Sequence, residues 1–284
     1  MEALLLIVIP LMLSAQQIAQ KEYDKRTQNG AYSYTLIAAL VAISLFFITS
    51  GGTLNFRLDV SLYSVLYAVG YATTMITGFL AIKTGSLSLT VLIIQYSLIV
   101  PAVYGMIMLG DPLKPTVFAG LALLIVSLIF VNFNKNEKAV RPTLKWAIFV
   151  GLSFLGNGVC NTVQKVQQVD FDGQYKSEFM IVAFGISIAF LICLTLAFER
   201  RDFLRNLRRG GIICAGSGVC NGICNFSILV LAGMLPSSVM YPIISAGGTI
   251  AASLAALFIY REKMSRQQLV GLGLGILAIV ALNL

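Results

Sequence analysis

Asn157, Asn161 and Gln164 stand four and three residues apart inside a stretch that is otherwise apolar. Side chains three, four and seven positions apart share one face of a helix, and each carboxamide offers both donors and an acceptor. Ser217, Asn221 and Asn225 repeat the pattern later in the chain. Tyr63, Tyr67, Tyr71 and Thr74 form a third polar stripe, and Gln17 and Gln20 a fourth; Gln95, Tyr96 and Tyr241 are expected to join them. Such faces could bind a neutral or zwitterionic polar solute by matching its hydrogen-bonding groups. They could equally hold membrane helices together, at about 0.6 kcal/mol per bond, with tyrosines near span ends forming an interfacial belt. The substrate-binding set expected is therefore Gln17, Tyr67, Tyr71, Thr74, Gln95, Tyr96, Asn157, Asn161, Asn221, Asn225 and Tyr241.

Other chemistries lack their residues. The chain has no histidine, and its five cysteines form no CxxC. Zinc and disulfide frameworks want different spacings, so Cys160, Cys193, Cys214, Cys220 and Cys224 read as small apolar packing residues, with Cys220 and Cys224 near a polar face. No Asp or Glu falls mid-span; Glu178 and Lys83 come nearest and read as interfacial. No enzyme activity, cofactor or metal is expected.

The elements that must position these faces follow from composition. At 58% hydrophobic and 11% charged residues, with a mean hydropathy of +0.87, the chain is far from the roughly 25% charge of a soluble domain. It reads as an all-α polytopic membrane protein. A span takes about 20 apolar residues; ten are expected, near 2–20, 32–50, 59–82, 86–108, 115–133, 143–164, 178–198, 210–232, 236–260 and 266–283. The first lacks the basic start and small-residue cleavage site of a signal peptide, and belongs to the fold. Ser265 and Gln268 read as a capping box for the last.

The chain also repeats itself. A shift of 144 lays "SAQQIAQK" (14–21) on "GVCNTVQK" (158–165), and a shift of 151 lays "GDPLKPTVFAGLALLIVSLIFV" on "REKMSRQQLVGLGLGILAIVAL". Two five-span units, 1–136 and 137–284, are expected. An odd number of spans puts the copies upside down relative to one another, the inverted-repeat plan of many secondary transporters.

The repeat, the length and the acidic residue (Asp111, Glu262) before a Gly-bearing last helix in each half resemble the EamA-type ten-helix branch of the drug/metabolite transporter superfamily. The resemblance implies a central cavity between the first, third, fourth, sixth, eighth and ninth helices, with the fifth and tenth peripheral. It implies alternating access for small metabolites, amino-acid or nucleobase-like. An exporter of lipophilic organic cations is the alternative, and a non-transporting membrane subunit a further one.

Sixteen of the twenty Lys and Arg fall in loops after odd-numbered spans. The positive-inside rule puts those loops in the cytoplasm, leaving both termini outside a cell (inner) membrane, whereas the family resemblance implies termini inside. The expected partners are a small-molecule solute and the lipid bilayer, with no nucleic acid; the positive charge serves orientation. Gly271 and Gly275 form a GxxxG, suited to packing within the chain or to a homodimer.

Overall fold

A computed structural model of the chain describes residues 2–27, 30–52, 54–84, 90, 93–94, 96–111, 115–132, 143–258 and 266–282. Gln95 and Ser265 lie outside the described residues, and the side chains of Gln17, Lys83 and Gln268 outside the described side chains. Among the described residues there are helices and no strand. In order they are α1 (Glu2–Arg26), α2 (Ala31–Thr49), α3 (Leu58–Thr84), α4 (Ile99–Met108), α5 (Pro115–Asn132), α6 (Leu144–Asp170), α7 (Lys176–Leu194), α8 (Phe203–Ala232), α9 (Ser237–Phe258) and α10 (Arg266–Leu282). A π-helical turn, Thr195–Glu199, continues α7. Among the described residues six helices, α1, α2, α3, α6, α7 and α8, are long and apolar enough to cross a membrane. In lipid a helix satisfies its backbone groups internally, and large apolar side chains such as Ile212 (91% exposed), Leu58 (82%) and Leu144 (78%) point outward from the bundle. The protein is an α-helical, membrane-embedded protein.

α3 packs along α6, α1 and α2 along α8, α7 against α2 and α3, α9 against α1 and α4, and α5 against α10. Glycine allows the closest of these approaches. A Cβ on Gly156 would lie 2.6 Å from Thr74 Oγ1 and 2.8 Å from the Gly70 carbonyl, so α3 and α6 meet backbone to backbone. Gly218 faces the Ala38 carbonyl of α2 in the same way, at 2.6 Å. The face of Gly271 and Gly275 is occupied within the chain: Ser127 of α5 donates to the Gly271 carbonyl at 2.6 Å, and a Gly275 Cβ would sit 2.8 Å from the same hydroxyl.

Cross-contacts define two ends of the bundle. Tyr23 of α1 packs at Gly210 near the start of α8, and Gly30 lies beside Asn206. At this end Glu199 accepts from the Tyr32 and Ser33 amides at 3.1 and 2.8 Å and from Ser33 Oγ at 2.5 Å. The otherwise orphaned amides at the start of α2 explain why a carboxylate is buried there. At the opposite end Thr49 meets Ser177 at 3.2 Å, and the Tyr63 hydroxyl donates to Asp170 at 2.5 Å. There the α6–α7 turn places Asp172, Gly173 and Tyr175 at φ of 50°, 73° and 57°. Side chains hold these left-handed residues: Gln167 donates to the Gln174 carbonyl at 3.1 Å, and Lys176 Nζ to the Gly173 carbonyl.

Candidate functional site

Between α1, α2, α3, α6, α8 and α9 lies a cavity of about 390 Å³. Its wall runs from Asp24 and Tyr32, by the α1–α2 turn, to Tyr67, Gln164 and Asn225 deep in the bundle. Beyond that layer the bundle is packed: the Tyr67 ring meets Phe179 edge-on at 5.6 Å, and Phe179, Met240 and Tyr241 are fully buried. The cavity therefore opens toward the α1–α2 end and is shut toward the α6–α7 end.

The polar wall is built from two matching ladders. On α6, Asn161 Nδ2 donates to the Asn157 carbonyl at 2.8 Å; on α8, Asn225 Nδ2 donates to the Asn221 carbonyl at 2.9 Å. A main-chain carbonyl only accepts, so these bonds decide which amide atom is nitrogen. Asn225 Oδ1 then accepts from Gln164 Nε2 at 2.9 Å and from the Tyr67 hydroxyl at 3.0 Å, tying α6, α8 and α3 together. Asn157 Nδ2 donates to Ser97 Oγ at 2.6 Å, and Asn221 Nδ2 to Gln16 Oε1 at 3.1 Å. Tyr71 stacks on Tyr67, ring centroids 6.1 Å apart and 15° from parallel. Toward the mouth, the Tyr34 hydroxyl and Ser217 Oγ are hydrogen-bonded at 2.6 Å.

Charge appears just outside this layer. Lys165, one residue beyond Gln164, is buried, and its ammonium donates to the Ala232 and Leu235 carbonyls at 2.7 Å each. It supplies donors to carbonyls that the end of α8 leaves orphaned. Asp111 accepts from the Ser238 amide at 3.0 Å, doing the complementary service at the start of α9.

Seven of the expected residues line the cavity: Tyr67, Tyr71, Thr74, Asn157, Asn161, Asn221 and Asn225. Two fall elsewhere. Tyr241 is fully buried behind the wall, donating to the Asn161 carbonyl at 2.6 Å, and so braces the α6 ladder from outside. Tyr96 reaches away to the Ile125 carbonyl at 3.2 Å, where α5 gives its hydroxyl an acceptor. Gln95 and the Gln17 side chain are outside what is described.

The wall also holds Gln16, Tyr32, Tyr34, Thr35 and Asp24, which the repeat alignment did not single out. Leu13, Gln16, Gln20 and Asp24 form an i, i+3, i+7, i+11 stripe on α1, and that spacing was a usable signal. The family resemblance leaves the second helix out of the cavity, whereas α2 here contributes Tyr32, Tyr34 and Thr35 to the wall. Asp24 adds a carboxylate to a wall otherwise made of carboxamides, hydroxyls, thiols and apolar groups. Cys160 and Cys224 are on the wall, and Glu178 ties the α2–α3 loop by accepting from the Asn55 amide at 3.2 Å.

No family model and no curated protein matches the chain. A solved structure titled "Crystal structure of protein" is similar with a TM-score of 0.77, covering 99% of this chain and 95% of that one at 11% sequence identity. At that identity the likeness shows the fold alone.

Proposed function

We propose that the chain is a membrane transporter that moves small polar metabolites, neutral or zwitterionic, by alternating access through the cavity. The observation that carries this is the cavity itself: about 390 Å³ of space walled by two carboxamide ladders, open toward one end of a bundle of apolar helices and shut toward the other. Buried polar side chains in a bilayer protein are expected to face a bundle interior or a water-filled path.

The reading includes an inverted repeat of two five-helix units, which the helix pairing favours. Exchanging each helix with the one five places along turns the α1–α8 pairing into α6–α3, and α2–α8 into α7–α3. The offsets of 144 and 151 also carry the Gln16–Asn221 contact onto Cys160 and Gly70, which touch. Ten spans of this plan agree with the resemblance to the EamA-type drug/metabolite transporters. The closed layer of Tyr67, Gln164 and Asn225 is then the point about which the halves rock. The end bearing Lys25, Arg26, Arg200, Arg201 and Arg205 is the cytoplasmic one by the positive-inside rule, so the cavity faces the cytoplasm.

Asn161→Leu and Asn225→Leu each remove a ladder rung. In proteoliposomes each is expected to cut solute flux at least tenfold while the protein stays folded and monodisperse; wild-type flux in both variants would remove the site assignment. Export of lipophilic organic cations is the second reading, favoured by Tyr32, Tyr34 and Tyr71 on the wall together with Asp24, because ring faces and a carboxylate both attract cations. Competition by bulky quaternary ammonium compounds separates the two.

A further inference from the structure

We propose that the cavity recognises its solute through nitrogen donors, a primary ammonium group above all, and rejects carboxylates and phosphates that carry no such group. This rests on the transport reading for its purpose and on hydrogen-bond polarity for its content. Two main-chain carbonyls orient the deep amides: Asn161 Nδ2 and Asn225 Nδ2 both point at carbonyls of their own helix. Asn225 Oδ1 is consequently the acceptor for Gln164, which turns Gln164 Nε2 inward to the protein. What remains toward the cavity is Asn161 Oδ1 and Gln164 Oε1, which accept no hydrogen bond among the described residues, and the Tyr71 hydroxyl, which likewise has no partner among them. The donor nitrogens of Asn157 and Asn221 are engaged as well, with Ser97 and Gln16. The deep wall thus offers the open oxygens of Asn161 and Gln164, while the nitrogens of Asn157, Asn161, Gln164, Asn221 and Asn225 each already donate a bond and the unpartnered Gln16 Nε2 is buried from the cavity.

Charge agrees with polarity. Among the described lining residues there is no Lys or Arg, and the one charged side chain is Asp24. An ammonium group is donor-only and carries three N–H bonds, whereas a carboxylate is acceptor-only. The first finds two amide oxygens and a hydroxyl, in charge-assisted bonds stronger than neutral ones. The second would meet oxygen, leave lone pairs unsatisfied and find in Asp24 a like charge at the mouth. Gln20, nearer the mouth, makes no hydrogen bond to the described residues and can serve a second polar group of either kind. Leu13, Ile94, Leu98, Ile228 and Ile244 leave apolar wall for the body of the solute.

The test uses the purified full chain and four probes that share one body: phenethylamine, 3-phenylpropanamide, 3-phenylpropionate and trimethylphenethylammonium. Calorimetric titration and thermal shift are expected to show the amine binding at least tenfold more tightly than the carboxylate, with the amide between them. The quaternary ion, which has charge but no N–H, is expected to bind more weakly than the amine. Tyr71→Phe removes a hydroxyl that bonds nothing described in the protein, so its melting temperature should match wild type while amine affinity falls about three- to tenfold. Gln164→Met is the second variant, expected to weaken the amine and leave the carboxylate unchanged.

Equal or tighter binding of the carboxylate, absence of amine binding, a quaternary ion as tight as the amine, or unchanged amine affinity in both variants overturns the proposal. Uptake of labelled amine into proteoliposomes is measured separately. Amine binding without uptake leaves the recognition standing and removes the transport reading; uptake of the carboxylate in preference to the amine does the reverse.

Discussion

Asn225 shows how one carboxamide can both tie helices together and line the cavity. Its nitrogen closes a rung on α8 and its oxygen gathers Gln164 from α6 and Tyr67 from α3, so three helices meet on a single side chain at the shut end of the cavity. Lys165 does purely structural work one residue past Gln164. Its ammonium, buried from water, is held by two carbonyls at the end of α8. Burying an ammonium is costly, but removing it strands those carbonyls, and hydrogen bonds to charged groups are worth more than neutral ones. Lys165→Met, of similar length, is expected to destabilise the protein by about 2 kcal/mol, seen as a lower melting temperature in detergent. An unchanged melting temperature would mean that the two effects cancel.

At the scale of helices, the α3–α6 pair sets the geometry of the wall. Gly70 and Gly156 let the two backbones approach so closely that Thr74, Cys160 and Asn157 reach the cavity from adjoining turns. Gly156→Ala puts a Cβ against Thr74 Oγ1 and the Gly70 carbonyl. A backbone carbonyl cannot swing away as a side chain can, so the helices must part, at about 1–3 kcal/mol as for other overpacked sites. The expected result is a lower melting temperature together with lost flux, because the ladder on α6 moves with its helix. By contrast a Cβ on Gly151 meets nothing within 4 Å, and Gly151→Ala should leave both properties as they are.

For the molecule as a whole, the two ends differ in charge and in closure. The α1–α2 end carries most of the described basic residues and the mouth of the cavity; the α6–α7 end is latched by Tyr63 on Asp170, with Arg57 5.6 Å from the ring centroids of both Phe171 and Tyr175. Orientation in the membrane decides which compartment the open cavity faces. In a chain whose five cysteines are replaced by alanine, Arg201→Cys should react with a membrane-impermeant maleimide only after cells are opened, and Gln174→Cys in intact cells. The opposite pattern would invert the topology and make the cavity face outward, leaving the site itself unaltered.

Composition alone determined that this is an α-helical membrane protein, because a bilayer accepts few other chains with 11% charged residues. Helical spacing alone grouped Asn157 with Asn161 and Asn221 with Asn225, since residues on one helix meet the same neighbour wherever that helix is placed. Partners across helices were invisible in the sequence. That Tyr241 braces Asn161 from behind, that α2 supplies Tyr32 and Tyr34, and that Asp24 reaches the wall depend on how helices far apart in the chain are rotated against one another. Rotation is fixed by packing at places such as Gly70 and Gly156, which no local pattern records. The polarity of the deep wall belongs to the same class: which way an amide turns is decided by what its neighbours already accept.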